Sequence, residues 1–247
     1  MARTLAVLAA FREERRDLGI ADLAARLSLS ASTVHRIVRA LTAEGYLAQN
    51  EETERYYLGR SVVLLGQAAN RRLGLHLAQT VLDSLGEETG ESVNLGVREQ
   101  NEMVVVMRVE SPHPLRFSQG PGSRLPVYAS AMGKVTLARS PSIDDEVAGL
   151  PTPLTPLTAN TITSPEKLRR ELMRINGRGY STDYEEAIMG VRCLAAPVMS
   201  PHGAVLAAIG IQAPAVRMPR ARLHKLAPLA LAAAEEVAQM VPDAHHL

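Results

Sequence analysis

The sequence predicts two domains of different class, a small helical module closed by a β-hairpin and, behind it, a larger α+β module. Three observations carry this. The chain has 247 residues, enough for two separate hydrophobic cores. Residues 20–45 hold two amphipathic helical runs joined by a short turn. After Gly90 the apolar spacing changes from three and four residues to two, and helical and strand-like runs then alternate to the C-terminus.

The stretch Ser30 to Gly45, SASTVHRIVRALTAEG, organises the first module. Ser30 is an N-cap residue, and Gly45 stands where a helix needs a left-handed terminal residue. Val34, Ile37, Val38 and Leu41 form an apolar stripe, while Ser32, Thr33, His35, Arg36 and Arg39 fall on the opposite side. One face packs and the other offers hydrogen-bond donors. Upstream, IADLAARLSLS puts Ile20, Leu23, Ala24 and Leu27 on one face of a short helix ending in the turn Ser28 to Ser30. Ala24 supplies the small residue that a steep helix crossing needs, and Leu29 plugs the corner. A glycine is common at the turn position held here by Ser28. A first helix over about Arg3 to Asp17 packs Leu5, Val7, Leu8 and Phe11 across this pair and leaves Arg3 and Arg12 outside. After Gly45, Tyr46 to Gln49 and Arg55 to Leu58 read as two short strands around a polar turn, a hairpin that forms a wing. The wing is acidic at Glu51, Glu52 and Glu54, so Arg55 is its one candidate phosphate contact. Three helices and such a hairpin make a winged helix-turn-helix, whose third helix enters the major groove of DNA.

The expected boundaries are residues 1–60 for this module, 61–78 for a linker helix and 79–247 for the α+β domain. The linker begins with Val62, Val63, Leu64 and Leu65 and breaks at Arg71 and Arg72; a second helix follows from Leu75 to Thr89. Ser92–Arg98 with Met103–Val109, and Cys193–Met199 with Val205–Gln212, read as two further hairpins. Between them lie a Pro- and Gly-rich excursion, a helix capped by Ser130, a Pro- and Thr-rich loop, and a helix over Pro165 to Asn176 that is capped by Ser164 and stopped by Gly177 and Gly179. Pro219 to Met240 closes the chain as a helix with Pro228 inside it. Mixed hairpins and helices of this kind resemble a small-molecule sensor fold.

Charge and composition narrow the function. Residues 1–72 carry 11 Lys and Arg against 8 Asp and Glu, and the remainder 16 against 18. That mild asymmetry fits a DNA-binding module with a few placed cations attached to a near-neutral domain. A single cysteine, Cys193, rules out a disulfide framework, and no run of about 20 apolar residues offers a membrane span. No secretory signal precedes the cluster of Arg12, Arg15 and Arg16, so a cytoplasmic protein is expected. No cofactor or metal is called for.

Several separated motifs resemble the IclR family of bacterial transcription regulators: STVHRIVRAL with EGYL, YYLG at Tyr56 to Gly59, ASAMGKVTLA at 129–138, and RGYSTDYEEAIMGVRCLAAPV at 178–198. The resemblance implies a winged-helix domain, a linker helix, a GAF-like effector-binding domain, and DNA-binding dimers that pair into tetramers. It implies an effector pocket whose polar floor is formed by the backbone amides of Ala131 and Met132 with Asp183 and Cys193, and whose apolar wall is Phe117, Leu125 and Val191. Helix-end physics agrees, because the first residues after a Ser130 cap expose unpaired N–H groups to an anion. The expected effector is a small organic acid, and the bulk of Phe117 and Met132 points to a larger or aromatic one. Repression is the expected sign of regulation. Two alternatives stand beside this reading: an enzyme using Cys193 as nucleophile with His113 or His202 as base, and a winged-helix module that binds protein.

Overall fold

The computed structural model describes residues 1–11, 16–72 and 74–240, apart from the side chain of Leu75. The chain divides into two compact units, Met1–Arg72 and Leu73–Leu247.

The first unit contains α1 (Ala2–Ala10), α2 (Ile20–Leu27), α3 (Ala31–Ala43), the strands β1 (Leu47–Gln49) and β2 (Tyr56–Leu58), and α4 (Arg60–Arg72). The first helix stops at Ala10, well short of Asp17; the Arg12 expected beside it lies outside the described residues. Helices α1 to α3 close on a core of Val7, Phe11, Leu18, Leu23, Val34, Val38 and Leu41, with Leu47 and Tyr56 from the wing. The turn between α2 and α3 sets their crossing. Ser28 takes the left-handed conformation at φ 53, a position that favours glycine, and Ser30 Oγ accepts from the Thr33 N–H to cap α3. Strands β1 and β2 pair antiparallel, and a bridge between Leu18 and Tyr56 ties the wing to the helices.

The linker helix expected over 61–78 is two helices. Helix α4 ends at Arg72, and α5 (Leu75–Thr89) begins after Gly74, whose φ of 69 interrupts the run. Helix α4 buries none of its residues, and Val63, Leu64 and Leu65 stand 59%, 62% and 55% exposed.

The second unit is an antiparallel six-stranded sheet covered on both faces. Its strands are β3 (Ser92–Glu99), β4 (Glu102–Val109), β5 (Arg124–Pro126), β6 (Ser181–Tyr184), β7 (Val191–Met199) and β8 (Val205–Pro214), in the order β5-β4-β3-β8-β7-β6. Helices α5 and α9 (Arg220–Met240) pack on one face against Val93, Leu95, Leu194, Ile209 and Ile211. Helices α6 (Ala131–Ala138), α7 (Ile143–Ala148) and α8 (Pro165–Arg178) cover the other. Alternation along the strands therefore puts Asn94, Cys193, Gly210 and Gln212 on the α6 side. Gly177 lies inside α8, and only Gly179, at φ 87, ends it. Strand β5 and helix α7 fall in segments read from sequence as irregular, and β6 in one to which the sequence assigns no element.

All eight residues of α6 are buried. Gly133 makes this possible, because a Cβ there would lie 2.3 Å from the Val127 backbone. The helix N-terminus is thereby pressed into the interior of the domain, which is what brings its amides to the site.

Candidate functional sites

In the first unit, α3 offers its donor face to solvent. Ser32, His35, Arg36 and Arg39 are exposed, as is Arg3 on α1, and Thr33 is half-buried with its hydroxyl accepting from Ser30 Oγ at 2.9 Å. Among the described residues neither Arg36 nor Arg39 is held by a carboxylate. Arg55 is occupied differently: it donates to the Asp17 carbonyl at 2.9 Å and to Asp22 Oδ2 at 2.8 Å. The same Asp22 oxygen accepts from the Gly19 N–H at 3.0 Å. That backbone donor, with the Arg55 guanidinium, holds the Asp22 carboxyl below its ordinary value. Arg55 thus braces the wing against α2 through one of its nitrogens, a role that a wing with one arginine among glutamates conceals in the sequence.

In the second unit a nearly closed cavity lies between α6, the sheet and the segment after β6. Leu125, Ala131, Met132, Asp183, Val191 and Cys193 line it, six of the seven residues implied for the effector pocket. Phe117 does not; its carbonyl accepts from Arg108, on the far side of the polar wall. Asn94, Gln119, Ser130, Ala187, Ile188, Gly210 and Gln212 complete the lining. The free volume is about 20 Å³, little more than one water molecule needs. Met132 takes up much of the floor: its side chain lies where a Cβ at Gly96 or Gly210 would have to go. The two glycines, on neighbouring strands, make room for the methionine.

Two backbone donors are open at the α6 end. Ser130 Oγ accepts from the Gly133 N–H at 3.1 Å and the Ser130 carbonyl from the Lys134 N–H at 2.9 Å, which leaves the N–H groups of Ala131 and Met132 for whatever occupies the cavity. Asp183, on the wall of the same cavity, belongs to a buried charge cluster. Lys134, 0% exposed, donates to Glu186 Oε1 at 2.5 Å, and the Glu186 N–H donates to Asp183 Oδ1 at 2.6 Å. Burial pushes the Asp183 carboxyl from 3.8 up to about 7, with Lys134 opposing and Glu186 adding to the shift. Glu186 is raised by burial too, and its Oε2 has no hydrogen-bond partner. Asp183 near neutrality is therefore poised between donor and acceptor, the property a group needs to answer the charge of a ligand.

The cysteine reading does not survive this geometry. Burial, and then the nearby Asp183, push the Cys193 thiol well above its ordinary value, where almost no thiolate exists. His202 sits in the β7–β8 turn and His113 near Gly90, and neither hydrogen-bonds Cys193. Among the described residues no His, Cys, Asp and Glu cluster could hold a metal, and no helix is long and apolar enough to cross a membrane.

The two units correspond to two family models. Residues 1–51 match the IclR helix-turn-helix domain and residues 67–239 the IclR C-terminal domain of bacterial transcriptional regulators. The regulator KdgR of Escherichia coli strain K12 is 34% identical over 242 residues, which cover 96% of this chain and 91% of that protein. The transcriptional repressor IclR of the same organism is 32% identical, covering 96% and 88%. Among solved structures, an IclR homologue from Microbacterium hydrocarbonoxydans complexed with 4-hydroxybenzoate superposes with a TM-score of 0.83 at 26% identity, covering 96% of this chain and 98% of that one. Helix-turn-helix module, α+β domain and relatives agree: the chain belongs to the IclR family, and is a DNA-binding transcriptional regulator with an effector-binding domain, not an enzyme.

Proposed function

We propose that this regulator represses transcription from a palindromic operator, and that a small organic acid bound in the α6 cavity sets its DNA affinity. The observation that carries the effector reading is the meeting of two open helix-end amides with a buried aspartate in one nearly closed cavity. A carboxylate suits the amides of Ala131 and Met132; Asp183 and Cys193 meet a second polar group, and Leu125 and Val191 pack the ligand's apolar part. The relative bound to 4-hydroxybenzoate supports an acid, and the repressor among the relatives supports the sign. A ring of that size needs Met132 or the 185–190 segment to move, since the closed cavity holds about 20 Å³. On DNA, Ser32, Thr33, His35, Arg36 and Arg39 reach bases or phosphates in the major groove, and Arg3 contacts backbone.

A thermal-shift screen of metabolite acids, aromatics (4-hydroxybenzoate among them) and sugars tests this against wild type and Asp183→Ala. An acid should raise the melting temperature of wild type and fail to do so for the variant, while Asp183→Ala still binds operator. Coupling of about 1–3 kcal/mol between ligand and operator is expected, reciprocal in both directions. Stabilisation by sugars alone, or hits indifferent to the substitution, would remove the acid from this cavity.

The functional unit is proposed to be at least a homodimer, and by family likeness a homotetramer. A single winged helix buries too little surface for tight specific binding, and two-fold proteins read palindromes. The uncovered Val63, Leu64 and Leu65 of α4 are the proposed seam. Sedimentation of wild type should show a dimer or larger at micromolar concentration, and Leu64→Glu with Leu65→Glu should shift it towards monomer with loss of operator affinity. A wild type that sediments and binds DNA as a monomer refutes the seam.

A further inference from the structure

The amide side chains that line the cavity are not free to choose which way they face. Arg108, on β4 behind them, donates through Nη1 to the Gln119 carbonyl at 2.9 Å, and through Nη2 to Ser92 Oγ at 3.2 Å and the Phe117 carbonyl. The same Nη1 lies 3.3 Å from Asn94 Oδ1 and 3.4 Å from Gln212 Oε1. A guanidinium has five donors and no acceptor, so an amide beside it must turn its oxygen inward and its NH2 group away. Gln212 Oε1 also accepts from Asn94 Nδ2 at 3.3 Å, which commits that oxygen twice. Gln212 then points Nε2 at Gln119 Oε1, 3.1 Å away. Gln119 is left with its own NH2 group, for which there is no partner among the described residues.

The three amides are buried, at 2%, 7% and 4% exposure for Asn94, Gln119 and Gln212, and all three line the cavity, whereas Arg108 does not. Arg108 has no carboxylate within ion-pair distance among the described residues; desolvation lowers its pKa, and its Nε is buried without a partner. A half-buried cation that bonds no carboxylate, with Glu110 acting on it only from a distance, is thus spent on holding three neutral side chains. We propose that Arg108 is a positioning residue that polarises the Asn94–Gln212–Gln119 row, so that the NH2 group of Gln119 is the donor this wall of the cavity presents, selecting a ligand with a hydrogen-bond acceptor there over an isosteric one with a donor. The proposal rests on the cavity being the effector site.

Malonate and malonamate are suitable probes, because they share a shape and differ at one end by O⁻ against NH2. Titration calorimetry on wild type should favour malonate by about 10- to 100-fold, the penalty of setting an N–H against the Gln119 donor in a desolvated site. Arg108→Lys keeps a donor-only cation and should retain most of that ratio; Arg108→Met frees the amides to turn and should bring it close to one. Side-chain amide NMR of ligand-free protein supplies a second, ligand-independent readout. In wild type the Gln212 NH2 protons should show contacts to Gln119 and slow exchange with water, and in Arg108→Met those signals should average. Gln212 NH2 protons found against the guanidinium, or amide signals and ligand ratio unchanged in Arg108→Met, would overturn the proposal. If neither probe binds wild type, the same comparison is made with the acid found by the thermal-shift screen and its primary amide; should no acid bind while the amide signals behave as expected, the effector assignment of the cavity is what fails, and ligand selection by this wall fails with it. Should Arg108→Met not fold, the same comparisons on Arg108→Lys decide: a ratio lost there, with the melting temperature kept, also overturns the proposal.

Discussion

Lys134→Met is expected to lower the stability of the effector-binding domain by about 3–5 kcal/mol, the cost of breaking a buried ion pair by removing one partner. Lys134 is fully buried on α6, and its ammonium group lies 2.5 Å from Glu186. Methionine keeps the volume and the helix but leaves Glu186 and Asp183 facing each other with no cation between them. A domain with roughly 5–15 kcal/mol in total cannot lose that much unnoticed. The double variant Lys134→Met with Glu186→Leu should recover most of the loss, since an ion pair replaced whole by apolar side chains is often neutral. Urea denaturation of the three proteins measures both numbers. A single variant as stable as wild type would mean that the cluster is already neutral.

The same cluster makes stability depend on pH. Asp183 has its carboxyl raised from 3.8 to about 7 in the folded state, so the folded protein binds its proton more tightly than the unfolded chain does. This contribution is fully present below about pH 4 and is lost as pH rises through 7. Glu146 runs the opposite way: the Arg98 guanidinium, 2.6 Å from its Oε2, holds its carboxyl below the ordinary value, and that contribution is lost as pH falls. Subtracting the melting curve of Asp183→Asn from wild type isolates the first effect. The difference should favour wild type most at pH 4–5 and shrink or reverse by pH 8, while in Lys134→Met the deficit should be smaller at pH 5 than at pH 8.

What the sequence reveals of this protein follows how far each signal departs from an ordinary surface. The α2–α3 pair is legible because caps, stripe and turn agree, and β3, β4, β7 and β8 because β-rich apolar runs mark them. Strand β6 is the sequence STDY and β5 is RLP, both too short and too polar to carry a period. Asp183 and Cys193 are found through a motif, but the cluster behind them is not, because a lysine in a short helix reads as solvated. Asn94 and Gln212 did leave a trace: each is a polar residue between apolar neighbours at an inward position of its strand. Arg108 left none, since a charged residue near the end of an edge-proximal strand is unremarkable until its neighbours are known.

The double variant Arg36→Ala with Arg39→Ala is expected to lose operator affinity by about 2–6 kcal/mol per half-site, taking roughly 1–3 kcal/mol for each arginine that reads a base. Both side chains are exposed on α3, and alanine is the better helix former, so the melting temperature should hold or rise slightly. The two single variants then separate the roles. A base-reading arginine, once removed, weakens binding to operator while leaving a scrambled duplex almost unaffected; a phosphate-binding one weakens both alike and lowers the slope of log affinity against log salt by about one. Arg55→Ala is the instructive contrast, because its guanidinium is spent on Asp17 and Asp22. It should loosen the wing and lower the melting temperature with little change in salt slope. Fluorescence anisotropy on operator and scrambled duplexes across a salt series reads all of these quantities. If Arg36→Ala and Arg39→Ala bind operator as wild type does, α3 is not the helix in the groove; if Arg55→Ala removes one unit of salt slope at unchanged melting temperature, the wing arginine touches phosphate after all.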